Sequence, residues 1–195
     1  MSLSLLDWRR QVAEIYAAVR AEPDPAVAHV RWQERRQQLF REHADSPDPG
    51  AVLRHAPYDP RLRFEVPVED AEAARIEAPT ATDDVVAFER LGVVRLPALG
   101  DLDVWWLTSY GGGVWLPVRD DNTRTYGGGR YVLDTVKGAD LGGGVEPGSG
   151  RPWLVVDLNF AYNPSCAYDE RWSCPLAPAG NVLAVSIDAG ELLPR

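Results

Sequence analysis

The period of the apolar pattern changes near residue 60, and that change sets what the chain can fold into. Before it, Trp8, Val12, Ile15 and Val19 recur at helical spacing and form one stripe. Ser4-Leu5-Leu6-Asp7 ahead of the stripe has the form of a capping box, and Glu22-Pro23 ends the helix. Asp24-Pro25 then reads as an N-cap followed by proline in the first turn. A second helix runs to about His43. Val27, Val30, Leu39 and Phe40 are its apolar positions, while arginines and Glu34 cover much of the rest. Ser46-Pro47-Asp48-Pro49-Gly50 stops it.

Beyond residue 60, Arg61 to Val68 alternates polar and apolar, as a half-buried strand does. Short strand candidates follow at 73–78, 84–90, 91–97, 102–109, 114–118, 130–136, 153–158 and 182–187. Leu91-Gly92, Leu99-Gly100-Asp101, Gly111-Gly112-Gly113 and Pro147-Gly148 supply turns between them. Twelve of the seventeen glycines fall between 111 and 150, so 138–151 is expected to be a mobile loop. The pattern predicts one domain, α+β and mainly β: an N-terminal helix pair (1–50) packed on an antiparallel β-barrel or strongly curved sheet (60–195).

Charge narrows the partners. Residues 1–63 hold ten basic and nine acidic side chains; 64–195 hold ten and twenty, which gives the net −9. An acidic body repels phosphate backbones, so nucleic acid and anionic membrane are not expected partners. No apolar run reaches 18 residues, and Asp7, Arg9, Arg10 and Glu14 interrupt the first apolar stretch. Neither a membrane span nor a secretory signal is therefore expected, and the expected compartment is the cytoplasm. Lys137 is the only lysine among twenty basic residues, which leaves one candidate amine for Schiff-base chemistry.

Two segments carry most of the chemistry-bearing residues. In the first, Arg119-Asp120-Asp121 precedes Thr125-Tyr126-Gly127-Gly128-Gly129-Arg130-Tyr131. Arg119 and Arg130 would make a fork for a carboxylate or phosphate, with glycines letting a ligand approach the backbone. The plainer account is a charged turn and a glycine bulge before a strand. It is not a phosphate loop, because no Gly-Lys-Ser/Thr follows and a strand, not a helix, comes next.

The second segment, from Asp157 through Pro175 to Asn181, is dense in Tyr, Asn, Cys and Trp. Asn159, Asn163 and Asp169 suit an irregular loop that needs side-chain bonds to its backbone. The sharper account is a site wall with Tyr162, Asn163, Cys166 and Tyr168 converging on a ligand. Cys166 and Cys174 are eight positions apart, wrong for a Cys-x-x-Cys motif. With one of His29, His43 or His55 they would supply three metal ligands; Cys166 with His43 would make a nucleophile. A small buried pair pinning the loop, reduced or disulfide-linked, is the plainest reading, and neither metal nor cofactor is expected. The second helix would place Arg35 and His43 beside a cavity if it lies over a barrel mouth. Snorkelling arginines on a packing helix are the simpler account. Trp105, Trp106 and Trp115 are read as core or cavity lining.

At these residues the chain resembles the bacterial and archaeal domain of unknown function 1684 family. The resemblance rests on Thr125-Tyr126-Gly127-Gly128-Gly129-Arg130-Tyr131, on Asn163-Pro164-Ser165-Cys166-Ala167-Tyr168, and on Trp172-Ser173-Cys174-Pro175. Asn181 and Ala189-Gly190-Glu191 extend it, and Arg35, Leu39, His43 and Ser46-Pro47 carry a weaker likeness. Val118 and Leu158 stand where the family usually has Phe, and the turn between Asp120 and Thr125 is shorter than usual. The resemblance implies no activity, but it implies that the two polar motifs belong to one arrangement. It also implies a cysteine pair compatible with either redox environment.

The expectation is therefore a protein that binds a small polar or anionic molecule where the Gly-Arg-Tyr strand meets the Asn-Pro-x-Cys loop. The candidate residues are Arg119, Asp120, Tyr126, Arg130, Tyr162, Asn163, Cys166, Tyr168 and His43. An enzyme (hydrolase or transferase) using Cys166 or an Asp/His pair is the first alternative. A structural or partner-binding domain is the second.

Overall fold

The computed structural model describes residues 3–79 and 85–194. Helix α1 spans Leu3–Ala21 and α2 spans Pro25–Glu42. The Asp24 carboxylate caps α2, accepting from the N–H groups of Ala26 at 2.9 Å and Val27 at 3.4 Å. Pro25 sits in the first turn, where no intrahelical donor is needed. Helix α1 already includes Leu3, so Ser4 lies inside its first turn and not at a cap.

The rest is strand and loop. The strands are β1 (Arg63–Pro67), β2 (Arg75–Pro79), β3 (Val85–Leu96), β4 (Gly100–Leu107) and β5 (Val114–Asp120). They continue as β6 (Arg130–Asp134), β7 (Gly143–Val145), β8 (Pro152–Asp157) and β9 (Val182–Leu183). The two strands expected at 84–90 and 91–97 are one, β3; Asp84 lies outside the described residues. Leu91-Gly92 does not turn the chain. The register with β4 shifts between Arg90 and Gly92, so this is a bulge inside a continuous pair. Glycine is needed there because a Cβ at 92 would fall 2.4 Å from the Glu69 carbonyl oxygen. The glycine-rich stretch 138–151 is not wholly a loop, since β7 within it pairs with β8 as an edge strand.

One sheet has the order β2-β3-β4-β5-β6, all antiparallel, with β9 added in parallel beside β5. The other has the order β1-β8-β7. Single bridges, Glu69 to Val93 and Tyr131 to Tyr162, link the two sheets' chains. The fold is α+β and mainly β, two helices on antiparallel sheets, and neither sheet closes on itself among the described residues.

Strand alternation divides the apolar residues between two clusters. Val94, Leu102, Val104, Leu116 and Leu133 face the helices, meeting Ile15, Tyr16, Trp32 and Leu39 in the main core. Burying a side chain such as Trp32 or Leu116 contributes roughly 1.5–3 kcal/mol. Phe88, Trp105, Trp115 and Tyr131 point to the opposite side of the large sheet and form a second, aromatic cluster. No helix among the described residues is long and apolar enough to cross a membrane.

Candidate functional site

The arginine fork does not form. Val118 pairs with Arg130 across β5 and β6, so Arg119 lies one residue out of step and faces the other way. Arg119 is exposed. Arg130 is 1% exposed and its Nη2 donates to Asp120 Oδ2 at 2.8 Å. Its Nη1 donates to the carbonyls of Ala189 and Glu191. Asp120 Oδ1 in turn accepts from the N–H groups of Asn122 and Ile187. Burial pulls the Arg130 pKa down while Asp120 pushes it back. This charge pair fastens the C-terminal segment to the sheet: both terminal nitrogens of Arg130 are occupied, and its buried Nε has no partner among the described residues.

Tyr162, Asn163 and Tyr168 do converge, on an ion pair, Arg36 with Glu191, that no spacing in the sequence links. Arg36 of α2 donates to Glu191 through Nε at 3.1 Å and Nη2 at 3.0 Å. The Asn163 N–H donates to the same carboxylate at 2.6 Å, and Asn163 Nδ2 donates to the Leu192 carbonyl. The Arg36 guanidinium lies 4.8 Å from the Tyr162 ring centre and 4.7 Å from that of Phe40. Tyr168 packs edge-on against Phe40 at 5.0 Å. A cavity of about 40 Å³ opens here, enough for a few water molecules. Tyr16 Oη and Asn163 Oδ1 are buried beside it without partners. Asn159 and Asn181 serve the fold. Asn181 accepts from Trp105 Nε1 and donates to the carbonyls of Asp103 and Pro117.

The cysteine loop packs beside the Gly-Arg-Tyr strand. Both thiols are free. The backbone N–H of Cys166 donates to Cys174 Sγ at 3.4 Å, and the Tyr126 hydroxyl lies 3.8 Å from Cys166 Sγ. The Cys166 side chain hydrogen-bonds to Cys174, which lowers the Cys174 pKa; burial opposes that shift and Lys137 reinforces it. The same bond and burial raise Cys166. Burial lifts Tyr126 to about 12. Among the described residues no three His, Cys, Asp or Glu side chains gather as metal ligands would.

His43 stands apart from this loop. Its Nε2 lies 3.3 Å from Asp7 Oδ2, its Nδ1 accepts from the Asp45 N–H, and its ring packs on Trp8. With Arg35, Gln11 and Glu42 it lines a 260 Å³ cleft between α1 and α2. Arg35 and His43 thus share a cavity, formed by the two helices.

A 350 Å³ groove lies where β6 meets the cysteine loop. Its wall is the aromatic cluster: Phe88, Trp115 and Tyr131, with Val86 and Leu107. Phe88 stacks on Trp115 at 4.5 Å, and Tyr131 meets Trp115 edge-on at 5.5 Å. The Tyr131 hydroxyl donates to the Pro175 carbonyl, which ties strand to loop. Ser173 and Pro175 form the loop side. Arg9 and Lys137 sit at the rim. The Lys137 amine is 3.3 Å from Asp134, with its side chain 44% exposed; Asp134 raises its pKa, and burial and Arg9 oppose that shift. Arg9 has no ion pair among the described residues. Sequence reasoning placed this junction and missed its cations. Lys137's status as the sole lysine was the available signal.

The fold and site define a class: a mainly β protein carrying two helices, with an aromatic groove of small-molecule size. Residues 51–192 match the family described as "Protein of unknown function (DUF1684)". The chain belongs to that family, for which no activity is established. Its structure is similar to the solution NMR structure of an uncharacterized protein from Haloarcula marismortui. The TM-score is 0.56 and the identity 26%, over 82% of this chain and 89% of that one. The comparison with curated proteins gives no match.

Proposed function

We propose that the protein binds a small amphipathic anion, an aromatic or branched body carrying one acidic group, in the groove beside β6. The observation that carries this is the pairing of an aromatic wall around 350 Å³ with the cations Arg9 and Lys137 at its rim. Ligand sites of roughly 300–1,000 Å³ combine such a wall with a few charged groups. The apolar body would lie against Phe88, Trp115 and Tyr131. The acid would face Arg9, which has no ion pair among the described residues. This reading keeps the meeting point of strand and loop and moves the charge from Arg119 and Arg130 to Arg9 and Lys137.

A titration of the 3-phenylpropionate anion against its neutral amide, followed by protein NMR, tests it. At about 0.3–0.4 kcal/mol per non-hydrogen atom the acid binds with a Kd near 1 mM. The amide binds about three- to tenfold more weakly, and Arg9→Ala or Lys137→Met removes most of that difference. Equal binding of acid and amide by the natural chain would sink the anion assignment.

A further inference from the structure

Cys174 stands between Ser173 and Pro175, two residues that line the groove, and is 8% exposed. Three features act on its sulfur. The Cys166 thiol hydrogen-bonds to it, the Cys166 backbone N–H points at it from 3.4 Å, and the Lys137 charge acts on it. A buried pair that merely pinned the loop would need the two side chains in contact. It would not need a backbone donor directed at one of them. The arrangement gathers negative charge on Cys174 and leaves the proton on Cys166, as an attacking thiolate and its reserve partner require.

We propose that Cys174 and Cys166 are a redox-active dithiol that reduces small anionic disulfides. Cys174 is the attacking sulfur and Cys166 the resolving one. This goes beyond the groove reading, because it stands on the two sulfurs and their neighbours and not on the capture of an aromatic acid. The Cys174 thiolate attacks one sulfur of R–S–S–R. The substrate S–S bond breaks, and RS⁻ leaves. The Cys166 proton passes to that thiolate, giving RSH. The Cys166 thiolate then attacks Cys174 Sγ in the mixed disulfide, closes the Cys166–Cys174 bond and releases the second RS⁻. Two electrons pass from the dithiol to the substrate, and excess thiol reverses the sequence. Arg9 and Lys137 favour a disulfide that carries carboxylates.

Incubating the full chain with glutathione disulfide, quenching with acid and measuring intact mass tests this. The natural chain is expected to lose two hydrogens and release two glutathiones, and excess reduced glutathione restores it. Cys166→Ser accumulates one glutathione adduct, which peptide mapping places on Cys174. Cys174→Ser reacts at least tenfold more slowly, and Lys137→Met moves the midpoint of the pH–rate profile upward. A comparison that needs no variant covers the case of a mutant that does not fold. At pH 6 the native chain reacts faster than the same chain in urea. Slower reaction of the native chain, a product that stops at the mixed disulfide, or an adduct on Cys166 in place of Cys174 would each overturn the proposal.

Discussion

Replacing Arg130 with methionine tests whether this arginine holds the fold. The guanidinium and the Asp120 carboxylate are each 1% exposed, 2.8 Å apart. Methionine fills much of the same volume and removes the charge, so Asp120 is left buried with only its two backbone donors. Breaking a buried pair from one side costs about 3–5 kcal/mol. Two carbonyls, Ala189 and Glu191, also lose a donor, but these losses overlap with the first and do not add fully. For a chain of this size, where about 1 kcal/mol moves Tm by 2–4 °C, the expected drop is roughly 6–20 °C. Urea unfolding gives the free energy directly. Arg130→Met combined with Asp120→Asn recovers much of the loss, because the amide oxygen still accepts from Asn122 and Ile187 and no buried charge remains. Arg119→Ala, on the exposed side of β5, changes stability by less than about 0.5 kcal/mol. If Arg130→Met matched the natural chain, or if the double variant showed the plain sum of two losses, the buried-pair account of this strand would be wrong.

Other expectations follow from the same reasoning. Arg36→Met strands Glu191 in the same way and is expected to cost about 3–5 kcal/mol, measured by urea unfolding. Burial holds His55 down from 6.5 to about 4, with its ring 5.1 Å from Trp32. The stability this neutral ring contributes is complete above pH 6.5 and is lost as pH falls towards 4, about 3 kcal/mol in all. Asp157 runs the other way. Burial lifts its carboxyl from 3.8 to about 6, so stability rises by about 3 kcal/mol as pH falls through 6 towards 3.8. Unfolding curves from pH 7 to 4 should therefore show a steeper acid loss in Asp157→Asn than in the natural chain; equal slopes would contradict the sign. At Gly138, φ is +89° and a Cβ would meet the Ala13 backbone at 2.8 Å. Gly138→Ala therefore destabilises by more than 1 kcal/mol, read as a drop in Tm.

Local rules made the frame legible. Asp24-Pro25 marks a helix start whatever packs around it, and alternation over 61–68 marks a strand. Leu91-Gly92 misled because a glycine serves a turn and a bulge equally well; only the nearby Glu69 carbonyl decides between them. The arginine fork failed for a reason that needs strand register. Arg119 and Arg130 are on opposite faces because Val118, not Arg119, pairs with Arg130. The polar loop was legible as a loop, yet Asn159 and Asn181 turn out to bind backbone, as their residue type allows. Arg36 with Glu191, and Arg9 with Lys137 at the groove, are distant in sequence. No periodicity brings them together, and the fold does.

Chemical-shift mapping with 3-phenylpropionate tests whether the groove beside β6 binds an aromatic acid. Saturable shifts are expected at the Trp115 indole, the Val86 and Leu107 methyls and the Lys137 region, with little change around His43 or Asp157. Shifts centred on the cleft between α1 and α2, or none up to about ten times the expected Kd, would contradict binding in the groove.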